Sequence, residues 1–422
     1  MEDTTSLTLL NPHADDFVST PVSFRLVRRR GLGKYRYLLD EPIRRGRRIP
    51  ILVDGTMTSL IDQSLFASLP KWLRATILRI EIYFWLRLNG LVDHVEVNWT
   101  LDTIQDRSAL YVFSYKNCVG VFNQRRTTIS AFDHIIINLS HYFIRTREKA
   151  ENIAKLKNVW LHVDSDLRKN AYFQYFFPNP PPMLVLPFAV SLRFSSKRPF
   201  AERSAKCAAT GTFHDLRTEM PHAYYRDFID FFKTNTYHPV RKLLFQHRSE
   251  ISDWLTSRIS LYRESASSNK LGARLRRFFQ LDVTQADYFS FDIVDFYNQH
   301  RFAIVGEELS GSPAVGFFEG MGCGNVMLGQ RGSFYDGLGL EPNVHYLPHD
   351  GTIQSIHAAI EQANADLNHA SKISKAAISY IATRCSPASV WDALDQYLQQ
   401  EILKTASEWS PKVDLLENKN KS

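Results

Sequence analysis

Short apolar runs alternate with longer polar or amphipathic segments through the first half of the chain. These runs have the length of buried strands and are Ile49–Val53, Val95–Val97, Ala109–Phe113, His134–Leu139, Val159–Val163 and Met183–Leu186. Several segments between them are long enough for a helix, and residues 70–92 carry apolar side chains at helical spacing. This alternation predicts βαβ units and a parallel sheet.

The second half of the chain shows a similar alternation beyond a polar, basic segment. We expect a strand with a glycine turn at residues 206–212, an amphipathic helix at residues 221–232 and further helix at residues 240–280. Ser386 and Pro387 begin the last strong helix through capping. The predicted organisation is a polar and basic leader at 1–48, an α/β domain at 49–190, a linker at 191–205, a second α/β domain at 206–385, a C-terminal helix at 386–410 and a disordered tail at 411–422.

Composition narrows the class of protein. A length of 422 residues favours two domains, and 51 Lys and Arg against 44 Asp and Glu give a net charge of +7. This charge suits an anionic partner: a nucleotide diphosphate, an anionic lipid or nucleic acid.

The four cysteines form no C-x-x-C pair, which favours a reducing cytosol over a disulfide or zinc scaffold. We find no secretory signal and no apolar run of about twenty residues that would span a membrane.

Two early segments are rich in basic residues. Residues 25–48 contain many arginines, which fit a contact with anionic lipid or a phosphorylated acceptor, or a solvated surface. The helix at residues 70–92 is punctuated by Arg74, Arg79 and Arg87. It is either an interfacial helix on a membrane or a packing helix whose arginines extend to solvent.

The stretch from Gly306 to Asp350 holds the most informative motif. A loop rich in Gly and Ser leads to one acid, Glu319, a run of small residues and the apolar run Val326–Leu328. This order predicts a loop, a short helix and a buried strand. The small residues allow close approach of a ligand or of the neighbouring strand, and the helix N-terminus offers N–H groups to an anion. The acid can accept hydrogen bonds from hydroxyl groups.

The stretch resembles the nucleotide-sugar half of GT-B glycosyltransferases of the group 1 type and their distant relatives, often written E-A-x-A-x-G-x-P-V-I. Here it runs from Glu319 to Leu328. The resemblance implies two Rossmann-like α/β domains facing a cleft, with a C-terminal helix that crosses back to the first. It implies transfer of a sugar from a nucleotide sugar to a glycan, a lipid-linked or another hydroxyl acceptor, without cofactor or metal. Many members carry a second acid eight residues earlier, where this chain has Gly311, and Glu307 and Glu308 lie too early to be taken as substitutes.

The resemblance also implies a set of donor-binding residues. Glu319 would bind the ribose hydroxyls, and Arg301 would pair with the diphosphate, unless it pairs with a nearby aspartate instead. Backbone groups would face phosphate at the glycine turn and at the helix N-terminus. The predicted donor-binding residues are Gly211, Thr212, Arg301, Gly316, Phe317 and Glu319.

Candidate catalytic residues follow predicted strands of the first domain. His141 could accept the proton of the acceptor hydroxyl or hydrogen-bond the donor sugar, or it could bond only backbone. Asp54 is a candidate base or a loop cap. Asp164 and Asp166 form a D-x-D triplet, which we interpret as a strand-end loop, with Asp166 capping the next helix.

Three other functions remain open at this stage. One is epimerisation of a nucleotide sugar, for which we identify no paired acid and base. Another is a non-catalytic binding module of GT-B fold, which the glycine at position 311 favours. The third is a basic protein that binds a membrane or nucleic acid, for which the sequence holds no recognition motif. We expect a cytoplasmic protein, on its own or peripheral on the inner face of a membrane.

Overall fold

Parallel β-sheets organise both halves of the chain. The computed structural model describes residues 7–26, 33–61, 63–113, 129–214, 222–234, 236–262 and 291–402. Strands of the first sheet are β1 (Leu7–Leu10), β2 (Ile49–Leu52), β3 (Val95–Asn98), β4 (Ala109–Phe113), β5 (His134–Asn138), β6 (Val159–Val163) and β7 (Met183–Val185). The remaining strands are β8 (Ser204–Ala209), β9 (Thr212–His214), β10 (Leu255–Ser257), β11 (Ser260–Tyr262), β12 (His300–Ile304), β13 (Val326–Gln330) and β14 (Leu347–His349).

Helices connect most of these strands. Within the described residues, the α-helices are α1 (Val22–Leu26), α2 (Tyr37–Arg44), α3 (Gln63–Ser68), α4 (Lys71–Asn89), α5 (Thr146–Ile153), α6 (Ala171–Phe176), α7 (His222–Phe232), α8 (Pro239–Gln246), α9 (Ile293–Asn298), α10 (Val315–Gly322), α11 (Ser333–Gly337), α12 (Ile353–Ala365), α13 (Leu367–Tyr380) and α14 (Pro387–Tyr397). The predicted α/β alternation is confirmed, and its parallel strands need these crossovers.

The first sheet has seven strands in the order β3-β2-β1-β4-β5-β6-β7, all parallel. The predicted leader at residues 1–48 is therefore wrong in part, because β1 lies inside the sheet between β2 and β4 and its four residues are at most 1% exposed. A four-residue strand with three leucines after a polar start is too short to stand out in a hydropathy pattern. Ligands bind in such sheets outside the carboxyl ends of strands, where the chain order reverses.

The second sheet has five parallel strands in the order β10-β8-β12-β13-β14, beside a pair formed by β9 and β11. The predicted helix at residues 240–280 is only partly correct. Helix α8 ends at Gln246, and β10 and β11 follow it. Residues 263–290, which include the rest of this predicted helix, lie outside the described residues, as does the predicted tail.

Two helices from the second half of the chain pack on the first sheet. Phe228 of α7 is fully buried against Tyr172 of α6, with 5.6 Å between ring centroids. Trp391 of α14 is buried among side chains from the other face of the same sheet. Arginines of the basic segment at 25–48 hold α14, since Arg47 contacts Asp395 at 3.0 Å. Both cores of the first domain therefore include residues from beyond the predicted boundary.

The small residues of α10 pack against protein. A Cβ atom on Gly320 would lie 2.4 Å from the sulfur of Met327 in β13. One on Gly322 would lie 2.8 Å from the backbone oxygen of Phe194. These glycines bring α10 against its strand and against the segment between the two sheets, which fixes the position of Glu319.

Candidate active site

Glu319 lies on α10, the helix that follows the carboxyl end of β12. Its side chain is partly buried, and burial raises the pKa of the carboxyl to about 7. The nearby cations Arg193 and Lys34 act in the opposite direction. Glu319 therefore shares its environment with a cation from the inter-sheet segment and with one from the first domain.

Lys34 joins the two halves of the site. Its amino group lies 4.9 Å from the ring centre of Phe17 and 5.1 Å from that of Phe188. Burial lowers the pKa of Lys34, and carboxylates of both domains oppose this shift. In order of effect, these carboxylates belong to Asp164, Glu319, Glu308 and Asp16.

Asp164 is the first-domain acid of this cluster. It follows β6, is buried, and accepts hydrogen bonds from the hydroxyl of Tyr35 at 3.1 and 3.3 Å. Burial raises the pKa of Asp164 to about 7, against the effects of Lys34 and of the Tyr35 hydrogen bond. Asp166 instead binds Arg168 at 2.6 Å and caps a short helical turn, so the two carboxylates of the D-x-D triplet have different partners. The interpretation of the triplet as a strand-end loop agrees with this structure.

Glu308 is the third carboxyl with a raised pKa. It lies in the loop after β12 and accepts a hydrogen bond from the hydroxyl of Tyr237. Burial raises its pKa to about 7, while Tyr237, Arg241 and Lys34 lower it. Glu307, its neighbour in sequence, is buried instead in the second domain and accepts from the backbone N–H of Gln330 at 2.7 Å. We call Lys34, Asp164, Glu308 and Glu319 the cleft cluster.

Three carboxyls that titrate near neutral pH can hold or exchange protons under ordinary conditions. They can also accept hydrogen bonds from hydroxyl groups of a ligand. Shifted pKa values of this kind concentrate at functional sites, because a site that excludes water disfavours charge. The cluster therefore provides acid, base and cation within one cleft.

His141 lies in the loop after β5, and its ring stacks on Phe17, one of the rings beside Lys34, with 5.0 Å between centroids. Burial, Lys34 and Lys149 lower the pKa of His141 well below its usual value, so the imidazole is neutral at pH 7. Ser140 donates its hydroxyl proton to Asn138 at 2.7 Å and lies 3.2 Å from Nδ1 of His141. With that proton used, Ser140 accepts from Nδ1–H. This assigns the lone pair to Nε2, the ring atom able to take a proton.

Asp54 has a loop-holding role. Its Oδ1 accepts from the backbone N–H and hydroxyl of Thr56 at 2.9 and 2.6 Å, and from Nδ2 of Asn11 at 2.9 Å. These bonds tie the turn after β2 to the loop after β1. All three bonds go to Oδ1, so Asp54 caps its loop, whereas its role as a base stays a prediction.

Gly211 and Thr212 form a turn at the carboxyl end of β8, and Arg241 anchors that turn. Gly211 has a φ of 116°, and a Cβ atom there would lie 3.0 Å from Nε of Arg241. The guanidinium donates to the backbone oxygens of Thr212 at 2.8 Å and Val305 at 2.7 Å. Arg241 thus joins the loops after β8 and β12, and nothing in the sequence pattern singled it out.

Gly316 and Phe317 contribute mainly to packing. The backbone oxygen of Gly316 accepts from the hydroxyl of Tyr297 at 3.2 Å. The ring of Phe317 is buried against Tyr335, with 5.3 Å between centroids. No side chain caps the first turn of α10. The backbone N–H of Phe317 already donates to the oxygen of Ala314 at 2.9 Å. What these two residues can offer a donor is therefore the backbone N–H of Gly316 and not the Phe317 ring.

The structure places Arg301 away from the cleft cluster, and its predicted diphosphate role is corrected here. Arg301 is the second residue of β12, at the amino end, whereas α10 follows the carboxyl end. Its guanidinium donates to the backbone oxygens of Phe200 at 3.3 Å and Ala201 at 2.7 Å. Arg193, which influences Glu319, and Lys34 are two cations that the fold does bring to the site.

Two parallel-sheet domains, with a crossing terminal helix and charged groups at the carboxyl ends of their strands, define the GT-B class. Solved structures of other proteins support this class. Sucrose-phosphate synthase from Thermosynechococcus elongatus is similar at a TM-score of 0.51 and 12% identity, over 93% of this chain and 98% of that protein. HepE from Anabaena, solved in complex with UDP-glucose, is similar at 0.50 and 12% identity, over 93% of this chain and 99% of that protein. These likenesses confirm the predicted fold class.

The family-level match lies in the second half of the chain. The sequence model of glycosyl transferase family 90 matches residues 250–417. Together with the fold, this match identifies the protein as a glycosyltransferase of GT-B architecture. A comparison with curated proteins gives no match.

Proposed function

We propose that this glycosyltransferase moves a sugar from a nucleotide sugar to a hydroxyl group of a glycan or lipid-linked acceptor, in polysaccharide biosynthesis at the cytoplasmic side. The observation that carries the proposal is the cleft cluster. It brings Lys34 and Asp164 of the first domain together with Glu308 and Glu319 of the second. Substrates held by different domains can react only where the domains meet.

The second domain would hold the donor. Glu319 can accept the ribose hydroxyls, as the GT-B resemblance implies, and the turn at Gly211 and Thr212 can offer backbone N–H groups to phosphate. Since HepE was solved with UDP-glucose, UDP sugars are the first donors to test. Lys34 and Arg193 replace Arg301 as the cations for the diphosphate.

Charge on the leaving diphosphate must be stabilised for transfer to occur. Lys34, Arg193 and the first turn of α10 can supply this stabilisation without a metal. The proposal is supported by the D-x-D triplet, whose two carboxylates bind different partners, Tyr35 and Arg168, instead of facing one shared site. No nucleic acid is part of it.

The first domain would position the acceptor. Nε2 of His141 carries the lone pair in the assigned tautomer, and Asp164 is a second group able to take the acceptor proton. Both lie in loops after neighbouring strands, β5 and β6, at the carboxyl edge of the sheet. Either can act as base, and Asp164 is the one whose pKa lies near neutral pH.

The test measures nucleotide binding by calorimetry with UDP-glucose, UDP, GDP, ADP and CMP, each with a divalent cation or with EDTA. Hydrolysis of the bound donor provides an activity readout that needs no acceptor. Replacing Lys34 by Met should weaken binding of UDP-glucose about tenfold or more, since a hydrogen bond between charged groups contributes about 1.5–3 kcal/mol.

The matched control is Lys375→Met, on the exposed face of α13. Equal affinities of the Lys34 and Lys375 variants would contradict a role for Lys34 at the diphosphate. Absence of binding by any nucleotide would contradict the proposed function itself and favour a non-catalytic module.

A further inference from the structure

Helix α4 carries an exposed apolar stripe that no other described element covers. It packs against the first domain through Leu78, Ile82 and Trp85. On its outer side, Trp72 is 69% exposed and Tyr83 52%. Further exposed residues of the outer face are Ile80, Phe84 and Leu88. Five large apolar side chains exposed on one helix are unusual on a protein surface in contact with water alone.

The outer face of α4 also carries only positive charge. Lys71, Arg79 and Arg87 are exposed beside the apolar stripe, and the guanidinium of Arg87 lies 5.0 Å from the ring centre of Tyr83. The one acid of the helix, Glu81, points inward, where it accepts from the backbone N–H of Ser59 at 2.7 Å. Aromatic and aliphatic residues next to cations, without acids, suit an anionic lipid surface.

A recess of about 270 Å³ lies at the carboxyl end of the same helix, next to Leu88. Its charged lining comes from Arg25 and Arg36, which donate to the backbone oxygens of Leu88 at 3.3 Å and Asn89 at 3.2 Å. The apolar stripe therefore ends at a concave surface lined by two arginines, of which Arg36 also pairs with Asp40 at 2.7 Å. Its size can receive a phosphate headgroup.

We propose that the outer face of α4 docks the enzyme on an anionic phospholipid membrane, with the helix parallel to the surface. Its 19 residues make a helix about 28 Å long, which places Trp72 and Leu88 near opposite ends of one contact. Within the described residues, no helix is long and apolar enough to cross a bilayer.

The recess lies beside the acceptor half of the cleft. Ser19 and Thr20 line the recess and follow Phe17, which stacks on His141. Gly33 lines it and precedes Lys34 of the cleft cluster. Docking would thus present a lipid-linked acceptor to the first domain. This last step rests on the proposed function, whereas the docking itself does not.

The experiment is vesicle flotation of the full-length enzyme with phosphatidylcholine alone and with added phosphatidylglycerol. Trp72→Ser with Phe84→Ser removes apolar anchors, and Arg79→Gln with Arg87→Gln removes charge. The matched control, Leu192→Ser with Val344→Ser, replaces apolar residues that are 81% and 44% exposed elsewhere.

We expect the unaltered enzyme and the control to float with the anionic vesicles and not with the neutral ones. Each α4 variant should bind anionic vesicles at least tenfold more weakly, and binding should weaken with added salt. Melting temperature and UDP-glucose affinity measured on the same samples establish that the variants are folded and separate this test from that of the proposed function. Flotation of the α4 variants equal to the control, or no flotation of the unaltered enzyme, would overturn the proposal.

Discussion

Glu319→Gln tests both the environment and the role of the central acid. Burial raises its pKa from 4.5 to about 7, a difference equivalent to about 3 kcal/mol between the two protonation states. For an acid whose folded pKa is raised, the stabilisation is complete below pH 4.5. It is lost as the pH rises through about 7, because the unfolded chain ionises first. The amide does not titrate and lacks this loss.

The expected result is therefore a difference in pH dependence. Between pH 5 and pH 8, the free energy of unfolding of the unaltered protein should fall by about 2 kcal/mol more than that of Glu319→Gln. Urea unfolding, followed by tryptophan fluorescence and circular dichroism, measures this difference, and coincident transitions justify a two-state analysis. Glu361→Gln, at an exposed position of α12, is the matched control and should behave as the unaltered protein does.

The same variant should bind UDP-glucose more weakly, by about 1–2 kcal/mol or roughly 5- to 30-fold, because an amide offers one acceptor and no charge. A protein that gains stability at pH 8 while losing donor affinity would show that the buried acid serves function at a cost to the fold. Parallel pH profiles for the variant and the unaltered protein would refute the reasoning on burial. An unchanged donor affinity would refute the ribose role.

Three further predictions concern residues around the cluster. Arg301→Ala should lower the melting temperature, by the loss of its bonds to two backbone oxygens, without changing UDP-glucose affinity; a tenfold weaker affinity in calorimetry would restore its diphosphate role. Gly322→Ala should destabilise the fold by about 1–3 kcal/mol in urea unfolding, because the added Cβ would lie 2.8 Å from a backbone oxygen. Gly332→Ala is the near-neutral control, because its added Cβ would meet no atom. Asp164→Asn should lower the rate of transfer or donor hydrolysis at least tenfold with donor affinity kept, and a rate equal to that of the unaltered enzyme would leave His141 as the base.

Much of the architecture follows from local patterns. The strands β2 to β7 appear in the sequence as short apolar runs, because parallel strands are buried on both faces. The helix α4 appears as apolar residues at helical spacing. The strand β1 was missed because three leucines in four residues carry too little periodic signal. Its place inside the sheet depends on pairing with β2 and β4, which are distant in sequence.

The site was less accessible to sequence reasoning. Glu319 lies within a local motif and could be proposed from the sequence, whereas Lys34, Asp164 and Glu308 meet only in the folded chain. Their shifted pKa values come from burial, which spacing does not encode. Arg301 was assigned to the diphosphate because the GT-B resemblance implies a basic residue at the start of this strand. In a parallel strand, however, the first residues lie at the edge opposite the ligand-binding edge.

The composition of the cleft cluster, one lysine among three acids, has a physical reason in the free enzyme. A lysine alone between two domains would lose its hydration without compensation, and three ionised carboxylates would repel one another. In the proposed function, a dianionic diphosphate would take Lys34 as its partner, and the carboxyls, with pKa values near 7, could then take up protons. The acids therefore stabilise the cation before the donor binds and can become neutral once it has bound. An uncharged residue at any of their positions would be neutral when the donor is bound but could not stabilise the cation beforehand.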